Sequence, residues 1–199
     1  MAKIRGWNPE IKRQKILDSA IQILNRKEYH QCPIDEIAKN AGVAKGTIYL
    51  YFKSKEELYF SIFYQIIDRV KEIVEDVQKN NLSATKQLYL VLEHMSNFID
   101  AHRNIFLAIR QQMAPCEKKL HQEFFKKIGE LIKTISMIIE KGIKNKEFKK
   151  CSSLLLSIIF LNLTQIIFHQ KMDIGKHKIV KIDLSPKFIV DVFLKGIEK

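Results

Sequence analysis

Between positions 45 and 55 the chain gathers side chains suited to a polyanion: Lys45, Gly46, Thr47, Tyr49, Tyr51 and Lys55. Gly46 has no side chain, so backbone there can approach a phosphate closely. Thr47 offers a hydroxyl to base edges or phosphate oxygens and a methyl group to thymine. The phenols of Tyr49 and Tyr51 reach phosphate while their rings lean on the scaffold. Lys55 falls in the first turn of a helix, where the dipole is already positive and a lysine is badly placed. A phosphate docked at that helix start turns the same charge into an attraction. This is the chemistry of duplex DNA, its backbone and its major groove. The sequence places no paired carboxylates, nucleophile–base pair, metal cluster or glycine-rich phosphate loop at useful spacing, which points away from an enzyme and from any cofactor or metal.

The elements that must hold these side chains are short and well punctuated. A helix is expected from about Ile34 to Asn40 and another from about Lys45 to Tyr51. Between them, Ala41-Gly42-Val43 makes a turn in which Gly42 supplies the left-handed conformation. Two short helices meeting at a glycine form a helix-turn-helix. Ile34, Ile37 and Ala38 face inward, Val43 and Ile48 complete a small core, and the opposite side of the second helix carries the polar set. A first helix starts at Asn8-Pro9-Glu10, which reads as cap, first-turn proline and dipole-matched carboxylate. Ile16, Ala20, Ile23 and Leu24 form its apolar stripe. After the pair, Ser54-Lys55-Glu56-Glu57 reads as a capping box opening a long helix to about Lys79.

The stretch from Ile34 to Leu58, and more loosely Ile16 to Tyr59, resembles the DNA-binding domain of TetR-family regulators. The pattern Ile-Ala-x-x-Ala-Gly-Val-x-Lys-Gly-Thr-Ile-Tyr-x-Tyr-Phe-x-x-Lys-Glu-x-Leu is long and specific, and covers about a quarter of the chain. The resemblance implies a homodimer, a ligand cavity in the C-terminal half, dimerisation through the last two helices, and DNA contact by Lys45, Gly46, Thr47, Tyr49, Tyr51 and Lys55. The chain departs from the family pattern at Glu28, where glycine is frequent, and at Cys32-Pro33 and Ala44, where phosphate-binding hydroxyls are common. Lys3 and Arg5 either reach the DNA from a flexible arm or form a solvated tail.

The remainder reads as a helical bundle. Helices are expected at about 84–101, 105–113, 117–144, 152–171 and from Ser185-Pro186 onward, with 172–184 as the irregular linker. The segment 152–171 is apolar nearly all round, so it must be covered on two sides. That fits a four-helix dimer interface made by 152–171 and 186–198 with a symmetry mate, as against burial within a monomer. Polar groups set in apolar runs, His94, Asn97, Arg110, Gln111, Asn162 and Gln165, with Phe98, Phe106, Phe160 and Phe168, are candidates for a cavity that takes a hydrophobic or amphipathic effector. Read singly, each polar group is equally a satisfied core or interface residue.

The fold class expected is therefore all-α: an N-terminal three-helix helix-turn-helix domain (1–54), a connecting helix (55–79), and a C-terminal helical bundle for ligand binding and dimerisation (80–199). The function expected is a ligand-released repressor that binds palindromic double-stranded operator DNA; a helical scaffold without specific DNA binding is the alternative. The formal charge of +12 suits a nucleic acid, but residues 1–60 contribute only +4 of it. The excess of Ile, Lys and Asn equally suits a bias of the source genome. Three dispersed cysteines without a Cys-x-x-Cys pair, no leader-like apolar run, and interruption of the stretch 154–168 by Ser157, Asn162, Thr164 and Gln165 place the chain in the cytoplasm with no membrane partner.

Overall fold

The computed structural model describes residues 8–27, 31–106, 118–172 and 185–197, with the side chains of 165–172 excepted. Eight helices are described: α1 Pro9–Leu24, α2 Ile34–Ala41, α3 Lys45–Tyr51, α4 Lys55–Gln78, α5 Ala84–Ala101, α6 Lys118–Lys144, α7 Ser153–Met172 and α8 Pro186–Ile197. Residues 103–106 are also helical. Among the described residues there is no strand, and no helix is long and apolar enough to cross a membrane. The chain divides into two compact units, Met1–Tyr64 with Arg103–His121, and Gln65–His102 with Gln122–Lys199.

In the first unit, α1 packs against α2 and α2 against α3. The start of α1 is fixed as its sequence requires: the Asn8 side chain accepts from the Glu10 N–H at 3.0 Å and Pro9 opens the helix. Ile16, Leu17, Ala20, Ile23 and Leu24 of α1, Ile34, Ile37 and Ala38 of α2, and Ile48 of α3 are buried. One polar tie crosses that interior, where the buried Ser19 hydroxyl donates to the Ile37 carbonyl at 3.0 Å. From α4, Leu58, Tyr59, Phe60, Ile62 and Phe63 are fully or almost fully buried.

In the second unit the core joins Val70, Val74 and Val77 of α4, Leu88, Val91, Leu92 and Met95 of α5, Leu131, Ile135, Ile138 and Ile139 of α6, Phe160 of α7, and Val190, Phe193 and Leu194 of α8. The turn after α6 is held by two residues. Gly142 sits so close to its neighbours that a Cβ there would lie 2.3 Å from the Phe148 ring and 2.9 Å from the Ala84 Cβ. The Glu147 carboxylate accepts the backbone N–H groups of Ala84 and Thr85, both at 3.1 Å, and so caps α5 from 63 residues away. Burial alone would raise this carboxyl, but those N–H donors, with the Thr85 and Asn145 side chains, hold it below its ordinary value.

Candidate nucleic-acid interface

The helix pair turns at Gly42, which has φ 67° and ψ 36°, and the Val43 N–H beyond it donates to the Ala38 carbonyl at 3.0 Å. A left-handed residue at this point is what separates α2 from α3, and a side chain there would be strained. Neither helix has a side-chain cap: Pro33 precedes α2 and Ala44 precedes α3. The hydroxyls missing at these two family positions are not replaced by other capping side chains.

On α3, Ile48 is 1% exposed and anchors the helix inward. The residues around it divide as the helical period dictates. Tyr49 is 46% exposed, Lys45 and Gly46 are exposed, and Thr47 and Tyr51 are half-buried. A Cβ added at Gly46 would meet nothing within 4 Å, so the space beside that backbone is open. Leu50 is 80% exposed. An apolar residue on a helix is first assigned to a core, yet the position of Leu50 relative to Ile48 already places it outward.

Three cations near α3 are held in different ways. Lys45 Nζ pairs with Asp35 Oδ2 at 2.9 Å, both side chains well exposed, and the carboxylate's hydrogen bond raises the ammonium's pKa. Asp35 lies in the first turn of α2, where the helix dipole favours it. Arg13 of α1 places its guanidinium 5.0 Å above the Phe52 ring and donates to Ser61 Oγ at 3.1 Å, fixing the end of α3 to α1 and α4. Lys55, half-buried, lies with Nζ 5.6 Å from the centre of the Tyr59 ring. Burial lowers its pKa, partly offset by the nearby Cys32 and Glu56. Burial likewise pushes the Cys32 thiol up. Lys55 therefore starts from a partly desolvated position on its own helix, which the dipole argument from sequence did not include.

The helix that follows opens as expected, with the Ser54 hydroxyl accepting the Glu57 N–H at 3.2 Å. Glu57 returns a bond at 2.6 Å to the N–H of Lys53, one residue earlier than a capping box centred on Ser54 implies. Beside the pair, a groove of about 490 Å³ between α1 and α2 is lined by Gln22, Ile23, Arg26, Lys27, Glu36, Lys39 and Asn40. Lys27 is committed there to Glu36 at 2.7 Å.

Of the residues considered for an effector cavity, those described lie on different helices and on different sides of them. His94 and Asn97 are exposed, on the side of α5 that also carries Glu93 and Asp100. Asn162 is exposed on α7 and donates to the Ile158 carbonyl at 2.8 Å. His94 and Asn97 are corrected from cavity-lining to surface positions, because the apolar face of α5 turns the other way into the core; Asn162 shares the exposed side of α7 with Leu155, Ile158 and Ile159. Phe98 is half-buried, with its ring 4.5 Å from that of His102. Phe106 is half-buried, and Phe160 is buried in the core against Phe193 at 5.3 Å. Arg110, Gln111, Lys3, Arg5 and Glu28, and the side chains of Gln165 and Phe168, lie outside what is described. His102 was missed from sequence; its Nδ1 is buried with no hydrogen-bond partner, and burial lowers its pKa. No group of three or more His, Cys, Asp or Glu among the described residues is placed to hold a metal.

A short helix ending on a left-handed glycine, followed by a second helix anchored by one buried side chain and exposed on its far side, is the arrangement of a helix-turn-helix. Residues 16–62 match the tetR family of bacterial regulatory proteins. It is 27% identical over 188 residues to the fatty acid metabolism regulator protein of Bacillus subtilis, covering 94% of this chain and 95% of that one. The crystal structure of the transcriptional regulator FadR from Bacillus subtilis in complex with stearoyl-CoA superposes with a TM-score of 0.73 at 27% identity, over 93% of this chain and 99% of that one. The fatty acid degradation regulator FadR from Bacillus halodurans shares the fold, with a TM-score of 0.74 at 23% identity over 96% and 98% of the two chains.

Proposed function

We propose that this chain is a repressor that binds a palindromic operator as a homodimer and leaves it when a long-chain acyl-CoA binds. The observation that carries the reading is the division of α3: Ile48 is buried while Lys45, Gly46 and Tyr49 face solvent. A seven-residue helix held by one inward side chain leaves its exposed side for the major groove. Lys45, Gly46, Thr47, Tyr49, Tyr51 and Lys55 make the contacts, with Lys45 leaving Asp35 and Lys55 leaving the Tyr59 ring for phosphate. In this reading residues 1–54 form the DNA-binding head, 55–79 the connection, and 80–199 the effector-binding and dimerisation part, all acting in the bacterial cytoplasm.

Support for the dimer comes from α7 and α8. Leu154, Leu155, Ile158 and Ile159 are exposed at helical spacing, as are Phe188 and Val192. An isologous contact along α7 and α8 covers them and supplies two heads for half-sites about 34–36 Å apart. Support for the effector class is the stearoyl-CoA carried by the Bacillus subtilis relative. Phe98 and the unsatisfied Nδ1 of His102 give an apolar wall and a polar contact on one helix end. A ligand that binds better to a state with the heads wrongly spaced lowers DNA affinity by that difference, and α4, continuous through both units, carries the shift.

Titration of the full chain into a duplex enriched from a random pool, with and without stearoyl-CoA, tests this reading. Affinity is expected to fall when the acyl-CoA is present, and to fall steeply as salt rises. Equal affinities with and without the acyl-CoA would discard release by this ligand; no preference over random duplex would discard the regulator's operator.

A further inference from the structure

We propose that Leu50 reads the C5-methyl group of a thymine in the operator, a specificity contact beyond the polar set on α3. The proposal rests on α3 being the helix that enters the major groove. Leu50 is 80% exposed, more than any other large apolar side chain among the described residues. It lies two residues after Ile48 and Gly46 two before, so both stand about 160° round the helix from the buried anchor. The outermost line of α3 therefore carries a glycine and a leucine, one turn apart, and no hydrogen-bonding side chain.

That line would be the first part of α3 to meet a DNA groove. At Gly46 there is open space where a Cβ would stand, so the helix can approach closely at that turn. The same approach brings Leu50 onto the base edges. The thymine methyl is the apolar group that the major groove offers there, and apolar contact with it is a direct form of base reading. A protein partner is the poorer occupant. Leu50 is flanked on its helix by Gly46, Thr47, Tyr49 and Tyr51, and the long apolar stripe that protein association uses lies on α7 instead. Water is a poor occupant too, since exposure of a leucine contributes nothing to folding.

The test uses the full chain and the duplex it enriches from a random pool. Each thymine of that duplex is replaced singly by uracil, which removes only the methyl group, and binding is measured for wild type, Leu50→Ala and Leu50→Met. Wild type is expected to lose affinity about fourfold at one thymine position, the value of one buried methyl-sized group. Leu50→Ala should show almost no difference between thymine and uracil there, and Leu50→Met should keep most of it. Uracil effects of equal size in wild type and Leu50→Ala at every position would overturn the proposal while leaving α3 as the DNA-binding helix. Failure to enrich any sequence would overturn both.

Discussion

Large apolar side chains stand in water on several helices, and two of these surfaces keep different company. On α7, Leu154, Leu155, Ile158 and Ile159 follow one another at helical spacing, and Phe188 and Val192 stand exposed on α8. On α3, Leu50 stands among a glycine, a threonine and two tyrosines, with Lys45 and Asp35 paired nearby. A continuous apolar stripe gains most from another apolar stripe, because burial is proportional to area and needs no direction. A mixed face gains most from a partner that offers charge, hydrogen bonds and methyl groups at fixed positions, as a DNA groove does. In the proposed assembly the first surface pairs two copies of the chain and the second meets the DNA.

The largest effect should come from breaking the apolar stripe. Ile159→Asp puts a carboxylate into the proposed contact twice, once from each copy, with no partner for it. Sedimentation should show a monomer, and operator affinity should fall on the order of 100-fold. A dimer unchanged by this substitution would move the interface elsewhere. Next is Thr47→Ala, which removes a hydroxyl and a methyl from the mixed face. Preference for operator over random duplex should fall roughly tenfold, with a smaller loss on random DNA. An equal loss on both would make Thr47 a phosphate contact only.

Glu147→Gln sharpens the comparison, since it weakens the second unit without touching either surface. Loss of the carboxylate that caps α5 should cost about 1 kcal/mol in thermal or denaturant unfolding. The folded carboxyl titrates below its ordinary 4.5. Its stabilisation is therefore complete above that pH and disappears as pH falls through the lower folded value. Wild type should lose stability on acidification more steeply than Glu147→Gln; parallel pH curves would remove Glu147 from the account. The smallest effect belongs to Asp35→Asn. Freeing Lys45 from its exposed ion pair and removing a negative charge beside α3 should raise affinity for random duplex about two- to fivefold. A decrease would mean that Asp35 positions Lys45 for DNA and does not hold it back.

The helix-turn-helix was legible in sequence because each of its decisions is local. Gly42 must be left-handed, Asn8-Pro9 must start a helix, and Ile48 must point opposite to its neighbours two residues away. The extents of α3 and α5 agree with the expected 45–51 and 84–101 for the same reason. What could not be read depends on residues far apart in the chain. Glu147 caps a helix 63 residues earlier, Arg13 lies over Phe52, and Gly142 is required by Phe148 and Ala84. His94 and Asn97 looked like polar groups within an apolar run, but which way α5 turns is decided by α7 and α8, which pack on it. On α8 the buried line is Ile189, Val190, Phe193, Leu194 and Ile197, leaving Phe188 and Val192 outside beside Lys187, Asp191 and Lys195. Leu50 is the converse case, an outward residue hidden from the reading by its chemistry.

Hydrogen exchange of the full chain with and without its enriched duplex tests the docking face most directly. Slowed exchange confined to residues 43–55, absent with the same concentration of random duplex at moderate salt, is the expected result. Slowed exchange on α5 or α6 with none on 43–55 would contradict the claim that the outer side of α3 holds the DNA.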